Sequence, residues 1–135
     1  MSNINVSLDC RNWAPTQGDG YTLSTSSIST SYGYKFSGGS DGNGNVTEYT
    51  DDGSGQGTIT VTSGGDPRYI INNVQFIGDN HTDMSWTHGA ASNIAIITDS
   101  NVDNENVYYN VTVQDTTANC LFICDPDINN TTKPR

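Results

Sequence analysis

The chain has 135 residues, 33% of them hydrophobic, and 15 acidic against 5 basic side chains leave a formal charge of −10. That length suits one domain, 1–135, around one core, while a hydrophobic share below the roughly 45–50% of ordinary globular chains argues against a large, rigid enzyme interior. The charge argues against nucleic acid and anionic membrane as partners, since both need compensating lysine or arginine and the sequence has no basic stripe.

No run reaches the roughly eighteen apolar residues of a membrane span. The opening MSNINVSLDC has neither a basic n-region nor a long apolar h-region, which points to the cytoplasm. Ile4, Val6 and Leu8 alternate with Asn5, Ser7 and Asp9 and predict a first strand with one buried face. Segments 21–23 and 28–36 read as further strands joined by polar turns.

Residues 37–57, SGGSDGNGNVTEYTDDGSGQG, form a Gly/Asp/Asn-rich stretch with a short strand at 46–49. Asp41, Asn43 and Asn45 match the first three ligand positions of an EF-hand loop. However, Val46 stands where a glycine must turn the chain, and Asp52 stands where a longer glutamate must chelate. An irregular calcium site on Asp41, Asn43, Asp51 and Asp52 is therefore the alternative, and a solvated hairpin loop needing no cofactor is the reading adopted.

Residues 58–62 make the next strand, and Gly64-Gly65-Asp66-Pro67 ends it with a strong turn signal. YIINNVQFI, 69–77, is the first strongly apolar run, and Asn72-Asn73 breaks its alternation, predicting a bulge. His81 and His88 follow, with Asp79 and Asp83 nearby. A zinc site of His81, His88 and Asp83 is short of ligands, so loop histidines near Trp86 are preferred. The stretch 85–95 holds a single helical turn at most, and IAIIT, 94–98, reads as a short central strand.

VYYNVTVQ, 107–114, alternates most clearly, with Val107, Tyr109, Val111 and Val113 on one face. NCLFICDP then reads as a strand stopped by Asp125-Pro126, followed by a short polar tail from Ile128. On such a strand Cys120 and Cys124 stand about 13 Å apart, beyond the roughly 4.4–6.8 Å of a disulfide, so they cannot pair with each other. Both share a side with Phe122, and Cys10 reaches either one if the strands are neighbours. Buried free thiols are preferred, and a Cys10 bridge is the alternative.

Trp13, Tyr32, Tyr34, Trp86 and Tyr108 offer a sugar-stacking platform as an alternative to ordinary strand packing. No G-x-S-x-G elbow is present, and the adjacent Asp51-Asp52 pair has no apolar pocket to raise one pKa.

The C-terminal segment YYNVTVQDTTANCLFICDPDINNTTKP, 108–134, resembles the end of small bacterial proteins of the DP-EP kind. Tyr109, Val111, Val113 and Asp115 carry that family's strand rhythm, and Asp125, Pro126, Ile128 and Asn130 its tail. AidA/PixA-type inclusion-body proteins share the Asp-Pro-x-Ile more distantly. The resemblance implies a β-sandwich without an established activity, so it carries over no catalytic residue. The segment 37–57 and the Cys120/Cys124 pair depart from its pattern.

The expected fold is all-β: a two-sheet antiparallel sandwich of immunoglobulin-like character with seven to nine strands. Its expected core comprises Ile4, Val6, Leu8, Ile59, Val61, Ile71, Val74, Phe76, Ile94, Ile96, Val111, Val113, Leu121 and Ile123. The expected role is non-enzymatic, structural or protein-interacting, with self-association or another protein as partner. A calcium- or carbohydrate-binding module is the first alternative. A small hydrolase with a site assembled from distant residues is the second.

Overall fold

The computed structural model describes residues 3–16, 18, 20–39, 46–49, 57–64, 66–78, 84–99, 105–125 and 127–131. In chain order its strands are β1 (Asn3–Arg11), β2 (Thr22–Thr25), β3 (Ser31–Gly38), β4 (Val46–Tyr49), β5 (Gly57–Gly64) and β6 (Tyr69–Gly78). They continue as β7 (Met84–His88), β8 (Ile94–Asp99), β9 (Glu105–Asp115), β10 (Cys120–Cys124) and β11 (Asp127–Thr131). Two sheets result. Sheet A is open and runs β2-β3-β1-β5-β8-β7; sheet B runs β10-β9-β11-β4, with β6 also paired to β9.

The all-β architecture in two sheets follows the sequence expectation; antiparallel pairing throughout does not. β1 lies parallel to β5, with Ile4 opposite Ile59 and Val6 opposite Val61, and β11 lies parallel to β4. The remaining pairs are antiparallel. Sheet A is thus mixed and open, unlike a closed antiparallel immunoglobulin sandwich. Alternating hydrophobicity could not distinguish the two, because a half-buried strand alternates whichever way its neighbour runs.

β10 and β11 lie on the same edge of β9 in one register: Cys120 faces Asp115, Cys124 faces Val111, Asp127 faces Tyr108 and Asn130 faces Glu105. Strand pairing therefore resumes beyond Asp125-Pro126, into the stretch expected to be a tail.

The core lies between the sheets. β5 buries Ile59, Val61 and Ser63 and turns Thr58, Thr60 and Thr62 outward. β6 buries Tyr69 and Ile71, then Val74, because the register shifts between Ile71 and Asn73 and leaves Asn72 as the extra residue. The expected bulge is there. Tyr32, Tyr34, Phe36 and Tyr109 complete the interior, with Ile4 and Phe76 packed at its margin.

Two strands present the face opposite to the one expected. On β8, Ala95 and Ile97 are buried and Ile94 and Ile96 lie outside. IAIIT is apolar on both faces, so only its pairing with β5, Ala95 opposite Val61 and Ile97 opposite Ile59, decides. On β10, Cys120, Phe122 and Cys124 are buried while Leu121 and Ile123 are exposed. Phe122 stacks on Tyr32 at 4.2 Å between centroids and meets Tyr69 edge-on at 6.1 Å, contacts that Leu121 and Ile123 have no rings to make. One further strand, β7, occupies part of the stretch read as a loop with a helical turn.

Side-chain and turn hydrogen bonds join the sheets along both margins. On one side Ser24 Oγ donates to the Ile123 carbonyl (2.8 Å), Ser27 N–H donates to the Leu121 carbonyl (2.9 Å), and Leu121 N–H donates to Ser27 Oγ (3.1 Å). On the other, Ile71 N–H donates to the Ser92 carbonyl (2.9 Å) and its own carbonyl accepts from His88 Nε2 (2.7 Å). The β6 bulge is therefore held by the end of β7 and the β7–β8 turn.

Candidate functional site

A buried set of titratable groups gathers where β9 ends. Asp115 is fully buried, and its carboxylate accepts from Arg68 Nε (2.8 Å), Arg68 Nη2 (2.7 Å) and Tyr32 Oη (2.6 Å). The backbone N–H groups of Thr117 (3.0 Å) and Ala118 (3.2 Å) also donate to it. Tyr32 has given its hydrogen to a carboxylate, so its oxygen accepts from the Cys120 thiol at 3.1 Å.

Local sequence explains the anchor. Asp115 caps the 116–119 turn, Asn119 takes the left-handed conformation (φ 56°) that asparagine tolerates, and Asn119 N–H donates to the Asp115 carbonyl (2.7 Å). The Arg68 carbonyl accepts from Thr116 N–H and from Thr116 Oγ1, each at 2.8 Å. Arg68 thus holds the turn with its backbone and its side chain.

The electrostatics follow from these contacts. Burial alone would raise the Asp115 pKa, but the bonds from Arg68, then Tyr32, then Ala118 and Thr117 hold it well below the usual carboxylate range. The Arg68 guanidinium is pushed up chiefly by its bonds to Asp115. Burial first, then the bond to Asp115, pushes the Tyr32 phenol up. A carboxylate with five donors on it has no lone pair left to take a substrate proton. The arrangement is chemically suited to clamping.

Beside the clamp, on the outer face of sheet B, lies a cleft of about 300 Å³ lined by Ser27, Asn72, Gln114, Asn119, Cys120 and Leu121. A second, of about 350 Å³, lies against Thr25, Ser26, Thr112, Phe122 and Ile123 and shares Ser27 and Leu121 with the first. Both follow the margin where the 24–27 segment bonds to β10. Across that face run the rows Leu121–Gln114–Ile70 and Ile123–Thr112–Asn73, none of whose residues is charged. Leu121 is 38% exposed and Ile123 50%, and the adjoining turn adds Ile28 at 54%. In a chain of charge −10, this surface is apolar and neutral.

The sites expected from sequence fare differently. Asp41, Asn43, Asp51 and Asp52 lie outside the described residues, as do Asp79, His81 and Asp83. His88 sits at the end of β7, edge-on to Trp86 at 5.0 Å, and is engaged with the Ile71 carbonyl. Of the aromatic set, the Tyr108 side chain lies outside what is described, and the other four form no single platform: Tyr32 and Tyr34 are interior, Trp86 packs at the core margin, and Trp13 pairs with Tyr21 at 5.2 Å. The three cysteines are buried and free. Among the described residues no three His, Cys, Asp or Glu side chains gather closely enough to hold a metal ion, and no helix is long and apolar enough to cross a membrane.

Sequence reasoning missed the clamp, because Arg68, Asp115 and Tyr32 come from three separate strand ends. The one local signal was Asp115-Thr116-Thr117-Ala118-Asn119, an aspartate opening a turn. What the fold and the clefts define is an all-β, two-sheet framework with an uncharged strip across β10, β9 and β6. No family model and no curated protein matches the chain.

Proposed function

We propose that the chain is a non-enzymatic structural module that self-associates through the outer face of β10 and the adjoining 26–29 turn. The observation that carries this reading is the exposure of Leu121 and Ile123 on one side of β10, in rows with Gln114 and Thr112 that hold no charged residue, beside the turn that Ser27 bonds to Leu121. Copies of charge −10 repel one another wherever their carboxylates face, so they meet most readily where neither bears charge. An apolar patch with a neutral polar surround also resembles the centre and rim of protein interfaces. The likeness of residues 108–134 to the DP-EP kind of β-sandwich supports the same structural role.

Sedimentation velocity over a range of concentrations and salt tests it. The wild-type chain is expected to associate, more strongly as salt screens the net repulsion. The double variant Leu121→Ser, Ile123→Ser is expected to sediment as a monomer with its fold intact. A wild-type chain that remains monomeric at every concentration and salt, or association unchanged in the double variant, removes the reading.

A further inference from the structure

Three side-chain amides, those of Asn72, Gln114 and Asn119, line the cleft of about 300 Å³ beside the clamp, together with Ser27 and Leu121. Each amide is placed by a different part of the fold. Gln114 stands on β9, in the row Leu121–Gln114–Ile70. Asn72 is the extra residue of the β6 bulge, and its neighbour Ile71 is bonded through N–H to Ser92 and through its carbonyl to His88. Asn119 closes the turn that the Asp115 carboxylate caps, and its own N–H is bonded to the Asp115 carbonyl. The clamp of Arg68 and Tyr32 on Asp115 thereby sets the place of Asn119, so hydrogen-bonded backbone fixes the cleft at both ends.

Among the described residues, none of the three amides is bonded to another side chain or to backbone. Each therefore offers two donors and an acceptor oxygen. Ser27 Oγ accepts from Leu121 N–H at 3.1 Å, which leaves its hydrogen for a further acceptor. None of the lining residues is charged, and the nearby Asp115 carboxylate is buried and paired with Arg68. An anionic ligand meets no cation there and is repelled by a chain of charge −10; a cationic one meets no free carboxylate. An added peptide strand is disfavoured too. The edge groups it would pair with, Leu121 N–H and the Leu121 and Ile123 carbonyls, are already bonded to Ser27 and Ser24. What remains is a small neutral molecule rich in hydroxyls, and the volume lies at the lower end for small-molecule sites.

We propose that this cleft binds a neutral saccharide, whose adjacent hydroxyls exchange hydrogen bonds with the amides of Asn72, Gln114 and Asn119 while a C–H face of the ring lies on Leu121. The site does not depend on self-association, because Asn72 and Asn119 stand off the Leu121–Ile123 patch of β10.

The test is a titration of the full chain, labelled with nitrogen-15, with the methyl glycosides of glucose, galactose, mannose and N-acetylglucosamine. Methyl glucuronide and glycerol serve as charged and non-cyclic controls. Concentrations run to about 50 mM, where even a weak single site shows saturation. At least one neutral glycoside is expected to shift the side-chain amide signals of Asn72, Gln114 and Asn119 along one saturating curve. Asn72→Ala and Asn119→Gly, the second chosen because glycine keeps the left-handed turn, are each expected to weaken binding roughly fivefold. Both variants should sediment as the wild type does, so this site and the association surface fail separately. No saturable shift at the three amides, equal shifts with glycerol, tighter binding of the glucuronide, or unchanged affinity in both variants would each overturn the assignment. Should a variant fail to fold, the wild-type titration with its two controls decides alone.

Discussion

The phenol of Tyr32, on β3 of sheet A, donates to the carboxylate of Asp115, at the end of β9 in sheet B, across 2.6 Å of buried space. The bond links the two sheets at the point where Arg68 neutralises the carboxylate. Tyr32→Phe keeps the stacking on Phe122 and leaves Asp115 its other four donors, so it is expected to cost about 1 kcal/mol. Asp115→Asn takes the charge from Arg68 and presents a donor toward Tyr32, so it is expected to cost about 3 kcal/mol. Urea unfolding of both variants checks the order. Equal costs would mean that the ion pair adds nothing beyond a neutral bond.

The same groups set the pH range of stability. Asp115 is held below its unfolded value of about 3.9, so the unfolded chain takes up a proton that the native chain does not as pH falls. Its contribution is complete above about pH 4 and is lost as pH falls toward its native pKa. Tyr32 is pushed up, and burial raises Tyr34 and Tyr69 to about 12 each. These three stabilise fully below the unfolded tyrosine value of about 10, and the gain disappears as pH climbs through their native values. Thermal midpoints measured against pH should form a plateau between about 4 and 10, and Asp115→Asn should flatten the acid limb. An acid limb unchanged in that variant contradicts the assignment.

The facing of β10 gives a sharp contrast between neighbours. Phe122→Ala removes a ring packed against Tyr32 and Tyr69 and should cost about 3–5 kcal/mol. Leu121→Ser and Ile123→Ser, at exposed positions, should each stay within about 0.5 kcal/mol of wild type. Chemical denaturation of the monomer at low concentration reads both. Comparable losses at all three positions would mean that the strand is turned the other way.

Gly38 ends β3 with φ at 77°, and a Cβ there would lie 2.6 Å from the Asn5 carbonyl oxygen on β1. Gly39 N–H donates to that same oxygen at 2.9 Å, which fixes the backbone in place. Gly38→Ala is therefore strained twice, by conformation and by contact, and should destabilise by about 2 kcal/mol or more. Gly18 also has positive φ but faces open space, so Gly18→Ala should cost only the conformational part. Thermal melts of the two variants separate the terms.

Much of the fold was legible residue by residue. Alternation in Ile4–Leu8, Ile59–Val61 and Tyr109–Val113 placed those strands and their buried faces, and Asn72-Asn73 marked the bulge. Alternation reports burial amplitude, which depends on a residue's own side chain. It carries no direction and no partner, because backbone groups common to every residue make the sheet bonds. The parallel pairing of β1 with β5 was therefore hidden, as were the burial of Ile97 rather than Ile96 and of Phe122 rather than Leu121. The clamp was hidden for a related reason: Tyr32 and Arg68 reach Asp115 from 83 and 47 positions away. By itself the sequence determined an all-β chain and most of its inward faces. The tertiary structure decided which of two equally apolar faces turns in and which distant polar groups meet, because both depend on the neighbour that the fold supplies.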